Sequence, residues 1–167
     1  MPPQEPLRES MERIQAIALV HDLLSYDADV RTVDLRALAE GLIPIILATN
    51  GIPPEAVSIT LLVPHVALSS RKATAVALIL NELVNNAIKH SLGDRDDAAI
   101  QIRLTEQQDG LMLQVRDNGP GLPPGFDLAT DAHLGLQVVR TLTEQSLSGI
   151  FTLTAESGVL AQIWFPW

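Results

Sequence analysis

One stretch decides the fold: Asn81-Glu82-Leu83-Val84-Asn85-Asn86-Ala87-Ile88-Lys89-His90. Around it, apolar residues recur at spacings of three or four, which is the period of one face of an α-helix. We therefore expect a long helix over about 71–91. The residues that form its apolar face are Val76, Leu80, Leu83 and Ala87.

A row of polar residues accompanies this apolar face. Glu82, Asn86 and His90 are four residues apart, and Lys89 follows Glu82 by seven, so these side chains share one side of the helix. The amide oxygen of Asn86 is a hard ligand that suits magnesium, a carboxylate nearby can orient or deprotonate a nucleophile, and Lys89 can offset phosphate charge. On spacing alone, the solvated face of an ordinary amphipathic helix is the more common explanation of this pattern.

A second motif, Asp117-Asn118-Gly119-Pro120-Gly121, follows a predicted strand. Asp117 continues the alternation of Leu111, Leu113 and Val115, so its carboxylate should point into the apolar layer, where it needs hydrogen-bond donors. The exocyclic amine of adenine is such a donor, and glycine turns let a flat base approach the backbone. Asp-Asn-Gly also commonly caps its own turn, so a purely structural Asp117 remains an alternative.

The composition limits the class of protein. The 167 residues suit one domain, and a hydrophobic fraction of 47% provides a core. The formal net charge of -9 argues against nucleic acid or anionic lipid as the main partner. The absence of cysteine excludes disulfides and thiol chemistry. We see neither a signal peptide nor a membrane-spanning run, and we expect a soluble, cytoplasmic protein with no membrane contact.

The order of predicted elements indicates an α+β fold. We expect a two-layer sandwich, in which a mixed sheet is covered on one face by three helices and preceded by an N-terminal helix. Residues 1–9 should be a disordered tail, 10–28 a helix that is apolar on most sides, and 29–167 the folded domain. The predicted helices of that domain lie near 35–49, 71–91 and 134–147, and the strands near 31–33, 57–63, 100–105, 111–117, 150–156 and 159–165.

Three motifs in this order resemble the ATP-binding domain of sensor histidine kinases, within the ATPase group that includes gyrase, Hsp90 and MutL. They are Glu82-x-x-x-Asn86-Ala87, Asp117-x-Gly119-x-Gly121 and Leu134-Gly135-Leu136. An earlier segment is similar to the second dimerisation helix of one divergent branch: Arg13-Ile14-Gln15-Ala16-Ile17-Ala18-Leu19-Val20-His21-Asp22-Leu23-Leu24. The resemblance covers the chain from about residue 10 to its end.

The resemblance implies a role for each motif. Asn86 would coordinate Mg2+, Glu82 would be the catalytic acidic residue that assists phosphoryl transfer, and Asp117 would hydrogen-bond the adenine amine. Residues 122–134 would form a lid over the triphosphate. The other ATP-binding residues implied are Lys89, His90, Gly119, Gly121, Leu134, Gly135 and Leu136.

The family further implies that this domain binds ATP and ADP and transfers the γ-phosphate to a histidine on a dimerisation domain. No acceptor-histidine motif is found in this sequence, so we expect the acceptor on a first helix not included here. The implied partners are that dimerisation domain, a response regulator and a second copy bound through the N-terminal helix. The alternatives are a protein serine kinase of the anti-sigma-factor type, or a module that only senses nucleotide.

Two positions depart from the family pattern. His133 stands where the lid motif usually begins with glycine, which puts the flexibility of the lid in question. Val159 stands where many relatives place threonine after the glycine of the last hairpin, which removes one polar contact.

Overall fold

The structure, a computed structural model, describes residues 4–27, 30–91, 93 and 95–167. Strands and helices form an α+β fold, as predicted. A short 3-10 helix covers Pro54–Ala56, and a π-helical turn, Leu142–Ser146, prolongs the last helix. The main elements are α1 (Gln4–Asp22), β1 (Ser25–Asp27), β2 (Val30–Asp34), α2 (Leu35–Thr49), β3 (Ser58–Leu62), β4 (Ala67–Ser69), α3 (Ser70–Ser91), β5 (Ala99–Gln107), β6 (Gly110–Asp117), α4 (Leu134–Thr141), β7 (Ile150–Ala155) and β8 (Val159–Pro166).

The main sheet has five strands in the order β3-β5-β6-β8-β7. β3 is parallel to β5, and the other neighbours are antiparallel, so the sheet is mixed. Alternate residues of β5, β6 and β8 are buried, as their sequence pattern predicts. This buried face includes Ile102, Leu113 and Ile163 and packs beneath α3.

A second, smaller sheet pairs β1, β2 and β4. β2 matches the strand expected near 31–33, whereas β4 was not predicted, because three residues are too few to show alternation. Asp34 ends β2 and caps α2 by accepting a hydrogen bond from the amide of Ala37. The exposed ring of His65 also lies beside this carboxylate, with Nδ1 2.8 Å from Asp34 Oδ2.

The helix α3 lies at the centre of the helical layer and contacts α1, α2 and α4. The buried side chain of Asn85 joins α3 to α2. Asn50 Nδ2, at the C-terminal end of α2, donates to Asn85 Oδ1 at 2.7 Å. Asn85 Nδ2 donates to the carbonyl oxygen of Asn81 at 2.8 Å, which holds the Asn85 side chain against its own helix.

The N-terminal helix α1 packs across α2 and α3 and differs from the prediction at both ends. It begins at Gln4, so residues 4–9 are helical rather than disordered, and 1–3 lie outside the described residues. It ends at Asp22, and 25–27 form a strand instead of prolonging the helix to 28. Its inner face buries Glu12, Ala16 and Val20. Its outer face exposes Leu7, Met11, Ile14 and Ile17.

None of the helices in the described part of the chain combines the length and apolarity needed to cross a bilayer.

Candidate functional site

A cavity of about 490 Å³ opens between α3, the loop after β6 and the start of α4. This volume falls in the range of small-molecule sites, which combine apolar walls with a few polar groups. The apolar walls come from Leu83, Val115 and Leu136, among others. The polar residues that line it are Asn86, His90, Asp117 and His133.

Asp117 lies buried at the end of β6 and lines this cavity. Its Oδ1 accepts two backbone hydrogen bonds, from the amide of Gly119 at 2.8 Å and from that of Val159 at 3.2 Å. Neither bond uses Oδ2. The carboxylate therefore has a structural role in its own turn, and it also keeps one oxygen for a donor in the cavity.

The glycine loop after Asp117 follows the wall of the cavity. A methyl group on Gly119 would collide with Ser91, so this glycine allows the loop to approach the end of α3. Gly121 lines the cavity and has a φ of 84°, a conformation that side chains rarely adopt. The resemblance predicts that both glycines shape a base pocket. Of the two, Gly121 is among the residues that line the cavity, whereas Gly119 is needed for the close approach to Ser91.

The loop that continues to α4 has its own hydrogen bonds. Asp127 accepts from the amide of Ala129 at 2.8 Å, and Asp131 Oδ2 accepts from the amide of Asp127 at 2.8 Å. Phe126 points from this loop into the lining of the cavity. His133 is the N-cap of α4 with a φ of -66°, which any residue adopts, so the departure from glycine at this position causes no backbone strain.

Glu82 lies between α1 and α4. Arg13 donates from Nε to Glu82 Oε1 at 2.7 Å, and this bond raises the pKa of the Arg13 guanidinium. On the other side, a methyl group placed on Gly135 would lie 2.8 Å from Glu82 Oε2 and 3.9 Å from Asn86 Oδ1. Gly135 therefore leaves room for the two oxygens that the sequence predicts to act on phosphate and metal.

The remaining predicted residues are divided between two surfaces. Lys89 turns away from the cavity lining and pairs with Glu5 at 3.3 Å and Glu9 at 3.2 Å, both on α1. His90 and Leu136 line the cavity, whereas Leu134 is exposed at the start of α4. The structure thus brings Asn86, His90, Asp117, Gly121 and Leu136 together around one space, and it places Glu82 and Lys89 against α1.

Sequence reasoning missed two residues of this region. The resemblance places Phe126 within the lid of residues 122–134 without giving it a contact, whereas it lines the cavity. The resemblance places Arg13 in a dimerisation helix. Its contact with Glu82 joins residues 69 positions apart and has no local signature.

Comparisons with known proteins point to one family. The model of the family described as histidine kinase-, DNA gyrase B- and HSP90-like ATPase matches residues 71–167, and a second model described as histidine kinase matches residues 2–49. The sensor histidine kinase PdtaS of Mycobacterium tuberculosis is 36% identical over 147 residues, which are 87% of this chain and 29% of that protein. The chain thus spans less than a third of the length of this relative.

Solved structures share the fold. The histidine kinase domain of a blue-light activated histidine kinase from Erythrobacter litoralis aligns with a TM-score of 0.81 at 24% identity, covering 95% of this chain and 79% of that one. The catalytic domain of the histidine kinase ThkA aligns with a TM-score of 0.61 at 20% identity, covering 81% and 94%.

Proposed function

The chain belongs to the histidine kinase-, DNA gyrase B- and HSP90-like ATPases and carries the catalytic domain of a sensor histidine kinase, and we propose that it transfers the γ-phosphate of magnesium-bound ATP to a histidine on a dimerisation domain. One observation carries this proposal. A single cavity joins Asn86, Asp117 and Leu136, which come from three motifs far apart in the sequence.

The adenine base would lie beside Asp117 in this cavity. Oδ1 of that carboxylate accepts from two backbone amides, and Oδ2 would accept from the base. Apolar side chains of Leu83, Val115 and Leu153 line the same cavity. An acceptor fixed at such a place selects a base with an exocyclic amine.

The phosphates would extend toward Asn86 and the start of α4. Asn86 Oδ1 is a hard oxygen atom of the kind that suits Mg2+, and it lies 3.9 Å from the point that a methyl group on Gly135 would occupy. When bound, the ion would neutralise phosphate charge. Asn86 would hold the metal, and Gly135 keeps that space open. His90 and His133 also line this cavity.

Glu82 would serve as the acidic residue of the transfer. Its carboxylate is buried, and Oε2 faces the space beside Asn86 rather than bulk water. A carboxylate so placed can orient the incoming imidazole or take its proton. Phosphoryl transfer depends mainly on such positioning and on charge compensation.

The partners follow from the same family. We propose a homodimer formed through the outer face of α1, because Leu7, Met11, Ile14 and Ile17 expose an apolar stripe at helical spacing. The match of residues 2–49 to a histidine kinase model favours a histidine kinase over a serine kinase of the anti-sigma-factor type. A response regulator in the cytoplasm would receive the phosphate.

The test supplies an acceptor domain in trans and compares two variants with wild type. Glu82→Gln should bind nucleotide normally and transfer phosphate about 10²–10⁴-fold more slowly, which is the usual contribution of a general base. Asn86→Ala should weaken ATP binding with Mg2+ more than binding in a chelator, because it removes a metal ligand.

Glu40→Gln is the control, since it neutralises an exposed carboxylate on α2 that pairs with Arg36. Calorimetry measures binding, and radiolabelled ATP measures transfer. A Glu82→Gln variant that transferred at the wild-type rate would remove Glu82 from the mechanism, and a wild-type chain that bound no adenine nucleotide would refute the function itself.

A further inference from the structure

The carboxylate of Glu82 is oriented by a residue from another helix. Arg13 on α1 holds Oε1 at 2.7 Å, and the other oxygen, Oε2, is aimed at the backbone of Gly135. A methyl group at that glycine would meet Oε2 at 2.8 Å and Asn86 Oδ1 at 3.9 Å. One oxygen is thus committed to α1, while the other faces the space assigned to the reacting groups.

We propose that Arg13 is a positioning residue for phosphoryl transfer, because it fixes Oε1 of Glu82 and so presents Oε2 to the nucleophile. The inference rests on the proposed function, which assigns the acidic role to Glu82. Within the described part of the chain, the side-chain hydrogen bond of Arg13 goes to Glu82, which does not line the cavity. Arg13 therefore acts through that carboxylate.

The physical reason lies in the freedom of a glutamate side chain. Holding this flexible side chain in one rotamer costs conformational entropy. A carboxylate in the wrong orientation loses the alignment on which the transfer depends. A charge-assisted bond from an arginine is short and directional. Glu82 is only 9% exposed at its side chain, so water competes weakly for Oε1.

A second set of contacts keeps α1 where Arg13 can reach Glu82. Lys89 lies seven residues after Glu82 and binds Glu5 and Glu9, which precede Arg13 on α1, so the two helices run antiparallel with complementary charges. The buried Nη2 of Arg13 has no hydrogen-bond partner among the described residues. Only Nε meets the carboxylate, which leaves Oε2 free for a different task.

This arrangement makes the docking of α1 a part of the active site. Glu12 of α1 is also buried, and its pKa is raised first by that burial and to a smaller extent by the charge of Glu82. Since Arg13 belongs to α1, any displacement of that helix from α3 would break the bond to Oε1, and Oε2 would no longer be held in one orientation.

The experiment measures MgATP affinity and the rate of transfer to a supplied acceptor domain for Arg13→Gln and Arg13→Lys. We expect Arg13→Gln to slow transfer roughly 10- to 100-fold, as when other residues that orient a functional group are removed, with an unchanged Kd for MgATP. Arg13→Lys should recover part of the rate, because it keeps the charge but loses the directional Nε. Arg8→Gln is the matched control: it removes a cation five residues earlier on α1 that pairs with Glu12, and it should keep the wild-type rate.

A double variant separates positioning from mere stability. In a Glu82→Gln background, Arg13→Gln should slow transfer no further, because the side chain that it orients no longer acts. Equal rates for Arg13→Gln and wild type would overturn the inference while leaving the kinase function intact. If Arg13→Gln slowed transfer in the Glu82→Gln background by the same factor as in the wild-type background, the inference would also be overturned. A wild-type protein that fails to bind MgATP would instead refute the proposed function.

Discussion

Replacing Asp117 by asparagine should weaken adenine nucleotide binding without harming the fold. Asparagine keeps a carbonyl oxygen, so the two bonds that Oδ1 accepts from the amides of Gly119 and Val159 survive the change. The other branch of the side chain becomes an amide nitrogen in place of Oδ2. A donor then faces the exocyclic amine of adenine, which is also a donor.

The size of the effect follows from this mismatch. A buried donor left without its acceptor costs roughly 1–3 kcal/mol, and every 1.4 kcal/mol corresponds to a tenfold change in Kd. We therefore expect the Kd for MgADP to rise by roughly 5- to 150-fold. Guanine carries a carbonyl oxygen where adenine carries the amine, so the preference of Asp117→Asn for ADP over GDP should shrink or reverse.

Calorimetry with MgADP and MgGDP measures both quantities and avoids turnover. Asp109→Asn, in the exposed turn between β5 and β6, is the control for loss of one acidic charge, and thermal unfolding confirms that each variant is folded. The reasoning fails if folded Asp117→Asn binds ADP within twofold of wild type, or if its ADP-to-GDP ratio stays the same.

Two further predictions concern α1. Burial, followed by repulsion from Glu82 and Glu9, raises the pKa of Glu12 despite the attraction of Arg8 and Lys89. Ionised Glu12 therefore lowers the stability of the fold above its folded pKa, and this penalty fades as the pH falls through that pKa. Glu12→Gln should raise Tm near neutral pH, by about 2–4 °C for each kcal/mol relieved, and should raise it less in acid. Calorimetric scans at several pH values that showed the reverse trend would contradict this prediction. The exposed apolar stripe of α1 should drive self-association, so Ile14→Glu should shift the chain toward monomer in light scattering. Ile150→Glu replaces a similarly exposed residue on β7 and should not cause this shift. A wild-type chain that is strictly monomeric would argue against this interface.

The parts of the structure that the sequence predicts are those with a local period or a local cap. The alternation through β6 correctly predicted that Asp117 is buried, and Asp34 caps α2 as its position before an apolar helix indicates. The helical start at Gln4 is not predicted from the sequence, in part because Glu5 and Glu9 tie the first turns to Lys89, 84 and 80 positions later. Contacts of that kind depend on the packed fold.

The polar row on α3 shows how one helix can serve two partners. Each residue turns the helix by about 100°, so Lys89 points within about 20° of Glu82, whereas Asn86 and His90 are rotated from it by about 40° and 80° the other way. The structure follows this drift: Glu82 and Lys89 meet α1, and Asn86 and His90 line the cavity. Because Glu82 lies at the boundary between these two directions, one of its oxygens can bind Arg13 while the other faces the site.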